Sequence, residues 1–126
     1  MKKILIVDDH PEIVDLMKAR LEANHYKVVS AADGNQAIRT AKEHKLDLII
    51  MDIMMPNLPG GDAVSVLKSD AATKHIPVIF LTAVTSNAPK DAEAKGVNVD
   101  GVFYPAFSKS IKPEILLLEI KKIIGN

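Results

Sequence analysis

The stretch L-D-L-I-I-M-D-I-M-M-P, Leu46 to Pro56, decides the fold. Its apolar residues Leu48 to Met51 are consecutive rather than alternating, the pattern of a short strand covered on both faces. The run then ends on a carboxylate, Asp52, and turns before Pro56. Working outward, K-K-I-L-I-V-D-D-H-P (Lys2 to Pro11) repeats the arrangement, with Ile4–Val7 running into Asp8 and Asp9. Two buried strands therefore deliver three carboxylates to their carboxyl ends. Burying unpaired charge is costly, so such a place is expected to bind something.

Further short apolar runs at Val28–Val29, Val78–Leu81 and Val102–Tyr104 complete five strands. Helical stretches separate them. Pro11 stands where a first helical residue belongs, followed by Ile13, Leu16, Met17 and Leu21 on one face. Asp33 can cap a helix carrying Ala37, Ile38 and Ala41. A third helix is expected after Gly61 with Val64 and Leu67 inward, a fourth from near Pro89, and a fifth from near Pro113 with Ile115, Leu116, Ile120, Ile123 and Ile124. This alternation predicts an α/β doubly wound parallel sheet with helices on both faces, within a single domain spanning residues 1–126. With strand order 2-1-3-4-5, strands one and three are neighbours where the order reverses. Ligands of such sheets bind there, and Asp8, Asp9 and Asp52 would share that pocket.

Composition narrows the function classes. Sixteen Lys and Arg balance sixteen Asp and Glu, so no global field draws the chain to nucleic acid or an anionic membrane. The absence of cysteine removes disulfides and thiolate metal sites and suits a reducing cytosol. The apolar run Ile4–Val7 is too short for a signal peptide, and no segment approaches a transmembrane span.

Two unit charges about 4 Å apart repel by roughly 4 kcal/mol at an effective dielectric near 20. Three clustered carboxylates thus call for a cation or a proton. Read as an all-oxygen donor set, the cluster favours a hard ion, Mg²⁺, that keeps several waters. The plainer alternative is that the aspartates cap the following helices, a role that suits Asp9 before Pro11. Two more strand ends supply partners: I-P-V-I-F-L-T-A ends at the Thr82 hydroxyl, and F-S-K-S-I-K-P offers Lys109. A cation, a hydroxyl and a metal around an aspartate describe a phosphoryl-transfer site, with Asp52 as a nucleophile that forms an acyl phosphate. The plainer readings make Thr82 a core-edge hydroxyl and Lys109 a solvated cation.

The motifs I-L-I-V-D-D-H-P, D-L-I-I-M-D-I-M-M-P-N-L-P-G-G, I-P-V-I-F-L-T-A and S-K-S-I-K-P-E-I-L-L-L-E-I-K-K-I, with A-A-D-G-N-Q-A-I between them, resemble the receiver domains of bacterial two-component response regulators. The resemblance covers essentially the whole chain and is chemotaxis-regulator-like, which implies a flavodoxin-like fold. It implies that Asp52 accepts a phosphoryl group from the phosphohistidine of a sensor histidine kinase or phosphotransfer protein. It further implies that Asp9 and Asp52 ligate Mg²⁺, that Asp8 assists through water, and that the Met54 backbone carbonyl is a further ligand. Thr82 and Lys109 would contact the phosphoryl oxygens. The implied protein is cytoplasmic, catalyses only its own phosphorylation and dephosphorylation, and switches contacts with a downstream protein target. The surface of the fourth helix, fifth strand and fifth helix, together with the first helix, would carry those contacts. A phosphorylation-dependent homodimer belongs to the same expectation; direct binding to nucleic acid or membrane does not.

The sequence departs from the family pattern in three places. Ser110 follows Lys109 where the family has proline, which predicts a trans Lys109–Ser110 bond, because a cis bond there costs about 2.5–4 kcal/mol. The spacing from Thr82 to Lys109 is long, so Tyr104-Pro105 competes with Lys109-Ser110 for the position after the last strand. The switch aromatic is replaced by Ala106, with Phe107 or Tyr104 as substitutes. A degenerate receiver that acts without phosphorylation therefore stays open. An aspartyl-nucleophile phosphatase is disfavoured by Met54, where a second carboxylate is needed, and a flavodoxin-like carrier by the acidic loop after strand one. Met54 and Val84 flank the path of a hydrolytic water in the resemblance, and both are apolar, which predicts slow loss of phosphate. The chain ends I-K-K-I-I-G-N soon after the last helix, consistent with a stand-alone receiver or a piece of a longer regulator.

Overall fold

The computed structural model describes residues 1–55, 57–82 and 96–125, with the side chain of Thr82 outside that set. The helix expected near Pro89, and Val84, lie outside the described residues. Five strands, β1 (Lys3–Val7), β2 (Lys27–Ala31), β3 (Leu48–Asp52), β4 (Val78–Thr82) and β7 (Ala106–Ser108), form one parallel sheet in the order β2-β1-β3-β4-β7. Helices α1 (Pro11–Ala23), α2 (Gly34–Glu43), α3 (Gly60–Ser69) and α4 (Pro113–Ile124) cover it on both sides.

Strand parity divides the core. Ile4, Ile6, Leu48, Ile50, Ile79, Leu81 and Phe107 pack with Leu21 of α1 and Leu116 and Ile120 of α4. Their neighbours Leu5, Val7, Ile49, Met51, Val78 and Phe80 pack with Ala37 and Ala41 of α2 and Ala63, Val64 and Leu67 of α3. Both faces of the central strands are thus buried, which is why their sequences show no polar alternation. Asp33 caps α2 as expected, accepting the Gln36 N–H at 2.9 Å. Asp9 does not cap α1: the N-cap is His10, whose own side chain makes no capping hydrogen bond.

Two expectations are corrected. Val102–Tyr104 is not the fifth strand of the sheet. It is β6, paired antiparallel with β5 (Val97–Val99) in a separate hairpin. Asp100 and Gly101 form its two-residue turn with φ of 52° and 85°, the positive values that a tight hairpin turn with right-handed strand twist requires. The last strand of the sheet is β7, whose approach residue Pro105 accepts the Phe80 N–H at 2.8 Å. Secondly, Leu16 does not face the core but is 53% exposed, and Val14 packs inward instead.

Candidate functional site

The sheet register assembles the site. Val7 pairs with Met51 across β1 and β3, so the next residues, Asp8 and Asp52, leave the sheet side by side. Asp52 pairs with Leu81, and Leu81 with Phe107, two residues before Lys109. Asp8, Asp52 and Lys109 share the parity of Ile6, Ile50 and Phe107, so all three start from the face that α1 and α4 cover.

The Lys109 ammonium lies 2.8 Å from Asp8 Oδ2 and 3.0 Å from Asp52 Oδ2. Both carboxylates are buried, at 4% and 3% exposure, and the lysine is largely covered. The other oxygen of Asp8 accepts the backbone N–H of His10 at 3.0 Å and the His10 imidazole Nδ1–H at 2.9 Å. Asp52 Oδ1 accepts the Met54 N–H at 3.3 Å, which folds the loop after β3 back over the carboxylate. Gly60 lies beneath this loop, where a Cβ would overlap the Asp52 carbonyl oxygen. Thr82 ends β4 with its backbone opposite Ser108.

Ionisation follows from these contacts. Burial pushes the Asp8 carboxyl up, but the hydrogen bonds from Lys109 and His10 outweigh it and hold the group below the usual aspartate range. In Asp52 burial wins: the carboxyl is raised despite Lys109, with the Asp8 charge adding to the rise. Burial opposes the Lys109 charge, yet the hydrogen bonds to Asp8 and Asp52 raise its pKa. The hydrogen bond to Asp8 and the charge of Asp9 likewise raise that of His10.

The structure brings together Asp8, Asp9, Asp52 and Lys109 as the sequence predicts. It also adds His10, which corrects the reading of the cluster as oxygen-only. One ligand atom from each of Asp8, Asp9, His10 and Asp52 lies within 4.8 Å of all the others. Around an octahedral Mg²⁺ with oxygens at about 2.1 Å, opposed ligands stand roughly 4.2 Å apart, so modest side-chain adjustment fits these residues to the ion. Tyr104 does not compete with Lys109. It sits in the hairpin, edge-on to Phe80 at 6.1 Å, with the Lys68 ammonium 5.7 Å from its ring centre. Ala106 and Phe107 are both buried, and the Lys109–Ser110 peptide is trans. Ser108 Oγ holds the turn after Lys109 by accepting the Ser110 N–H at 3.1 Å.

Residues 4–121 match the response regulator receiver domain family. The chain belongs to that family. Its receiver domain is 42% identical over 89 residues to the response regulator GtcR of Aneurinibacillus migulanus, a match covering 71% of this chain and 36% of GtcR. It is 34% identical over 95 residues to the polar-differentiation response regulator DivK of Brucella anthropi, covering 75% of this chain and 77% of DivK. The chain thus spans about a third of the first of these relatives and about three quarters of the second. Among solved structures, the receiver domain of the sensor histidine kinase PA1611 from Pseudomonas aeruginosa superposes with a TM-score of 0.81 at 27% identity, covering 99% of this chain and 98% of that one. That structure holds a magnesium ion coordinated in its active-site cleft. The receiver fold here is therefore the flavodoxin-like sheet expected, and no helix among the described residues is long and apolar enough to cross a membrane.

Proposed function

We propose that this receiver domain, one unit over residues 1–126, accepts a phosphoryl group on Asp52 from the phosphohistidine of a sensor kinase or phosphotransfer protein and thereby switches its protein contacts. The observation that carries this reading is the Lys109 ammonium held between two buried carboxylates, Asp8 and Asp52, at the switch point of the sheet. An Asp52 oxygen attacks phosphorus, the bond from phosphorus to the donor imidazole breaks, and the imidazole leaves. Asp52 suits the task because burial and the loop from Met54 fix its direction, and fixed direction is most of what phosphoryl transfer asks of a protein. Lys109, bonded to the Asp52 carboxylate at 3.0 Å, would follow the charge from there to the phosphoryl oxygens. Asp9 and Asp52, with Asp8 behind them and the Met54 carbonyl, would hold Mg²⁺, which when bound screens the charge between acceptor and phosphoryl group. Thr82 at the end of β4 would bond a phosphoryl oxygen.

The donor's docking face is apolar. A groove of about 120 Å³ between α1 and α4 is lined by Ile13, Leu16, Met17, Leu116 and Leu117, and Lys109 stands on its wall. A donor helix laid across this face, with apolar side chains inserted into the groove, would bring a phosphohistidine toward Asp52. Such a domain works in the cytoplasm beside its kinase and catalyses only its own phosphorylation and dephosphorylation. Its downstream partner is a protein, or a second phosphorylated copy, rather than nucleic acid. The reading is tested by incubating the chain with a small acyl phosphate donor and Mg²⁺. Labelling should occur in the wild type and vanish in Asp52→Asn; undiminished labelling of that variant would overturn it.

A further inference from the structure

His10 adds a donor of a different kind to the acidic cluster. Its Nδ1 lies 2.9 Å from Asp8 Oδ1 and 3.2 Å from Asp9 Oδ1. The same Asp8 oxygen accepts the His10 backbone N–H at 3.0 Å, so the backbone N–H and the ring Nδ1 of this residue converge on one carboxylate. The ring is half-exposed and can release that hydrogen bond without disturbing the core. Its ligand atom is within 4.8 Å of those of Asp8, Asp9 and Asp52. A nitrogen donor gains little with Mg²⁺, which prefers oxygen and retains water. It gains much with borderline first-row ions, whose affinities for mixed nitrogen and oxygen sites rise from Mn²⁺ through Co²⁺ and Ni²⁺.

We propose that His10 is the metal-selecting residue of this site, its imidazole joining the carboxylates as a ligand to a borderline divalent cation of the Co²⁺, Ni²⁺ or Zn²⁺ type. The site would then take such ions in preference to Mg²⁺ by more than three carboxylates alone would allow. The inference rests on the metal site of the proposed function, but the two can be separated. If His10 serves only to orient Asp8, its loss perturbs every ion alike. If it is a ligand, the loss falls on the nitrogen-seeking ions.

The test titrates Mg²⁺ and Co²⁺ by calorimetry into the wild-type chain, His10→Ala and His10→Asn at mildly alkaline pH, with Co²⁺ ligation also followed by its visible absorption. Urea midpoints confirm that each variant is folded. Co²⁺ affinity should fall by about tenfold or more in both variants, the Co²⁺ spectrum should change, and Mg²⁺ affinity should stay within about twofold. An equal fall for both ions, or no fall for Co²⁺, overturns the role of His10. Mg²⁺ binding to the wild type tests the receiver reading separately. Its absence, alongside a His10-dependent Co²⁺ site, would remove that reading and leave the selectivity role standing.

Discussion

Replacing Lys109 by methionine keeps much of the side chain's apolar stem and removes its charge. The ammonium is 2.8 Å from Asp8 and 3.0 Å from Asp52. At an effective dielectric near 20 each contact is worth roughly 6 kcal/mol of gross attraction. Desolvation of the ammonium takes back much of that, and breaking a buried pair by removing one partner typically costs about 3–5 kcal/mol. Here the loss has a limit, because Asp52, already raised by burial, can take up a proton once the lysine is gone. We therefore expect Lys109→Met to lose about 3 kcal/mol at neutral pH without Mg²⁺, at the lower end of the range for broken buried pairs. The loss should shrink on acidification as Asp52 protonates. Mg²⁺ at about a hundredfold excess over its dissociation constant adds roughly 2.7 kcal/mol by mass action, and it should stabilise the variant more than the wild type because its charge replaces the one removed. Urea unfolding with and without Mg²⁺ measures both effects. A loss below about 1 kcal/mol, the range of exposed ion pairs, would refute the reasoning, as would an equal response to Mg²⁺.

The raised pKa of Asp52 means that its favourable contribution is present below the unfolded value of 3.8 and is lost as pH rises through the folded value. Without metal, Asp52→Asn should accordingly be more stable than the wild type at neutral pH, the gap closing toward pH 4 or so. A variant that melts below the wild type at neutral pH would contradict this. Gly60→Ala would force its Cβ against the Asp52 carbonyl oxygen. It should cost about 1–3 kcal/mol and slow Asp52 labelling, while Gly61→Ala, with open space around its Cβ, should do neither. Met54 is 75% exposed beside the acceptor and cannot orient a water. Exchanging Met54→Asn together with Val84→Glu should speed decay of the phosphorylated protein by up to about 10²-fold, followed as loss of label with Mg²⁺ saturating.

The central strands and the acidic cluster are legible in the sequence because one physical fact governs both. A strand buried on two faces must be apolar throughout, so the first carboxylate after it marks where the sheet ends. Asp8 and Asp52 are found that way, and their adjacency follows from the strand order. The edge of the sheet is harder to read. Val102-Phe103-Tyr104 has stronger strand character than Ala106-Phe107-Ser108, yet it builds the hairpin, while the weaker triplet wins the sheet through its pairing with β4. The local signal was Asp100-Gly101 between two alternating runs, a turn pair that closes hairpins. His10 is missed for a different reason. Its position before Pro11 reads as a helix start, and only the folded loop turns its ring back onto Asp8. Leu16 has the spacing of a core residue, but the groove between α1 and α4 leaves it at the surface.

The most direct test of the central claim is to find the labelled residue. The wild-type chain would be incubated with a small acyl phosphate donor with and without Mg²⁺, then reduced with borohydride, which converts a phosphorylated aspartate to homoserine, and mapped by peptide mass spectrometry. Conversion is expected at Asp52 alone, dependent on Mg²⁺. Conversion at Asp8 or Asp9, labelling that ignores the metal, or no labelling under conditions where the chain is folded would contradict it.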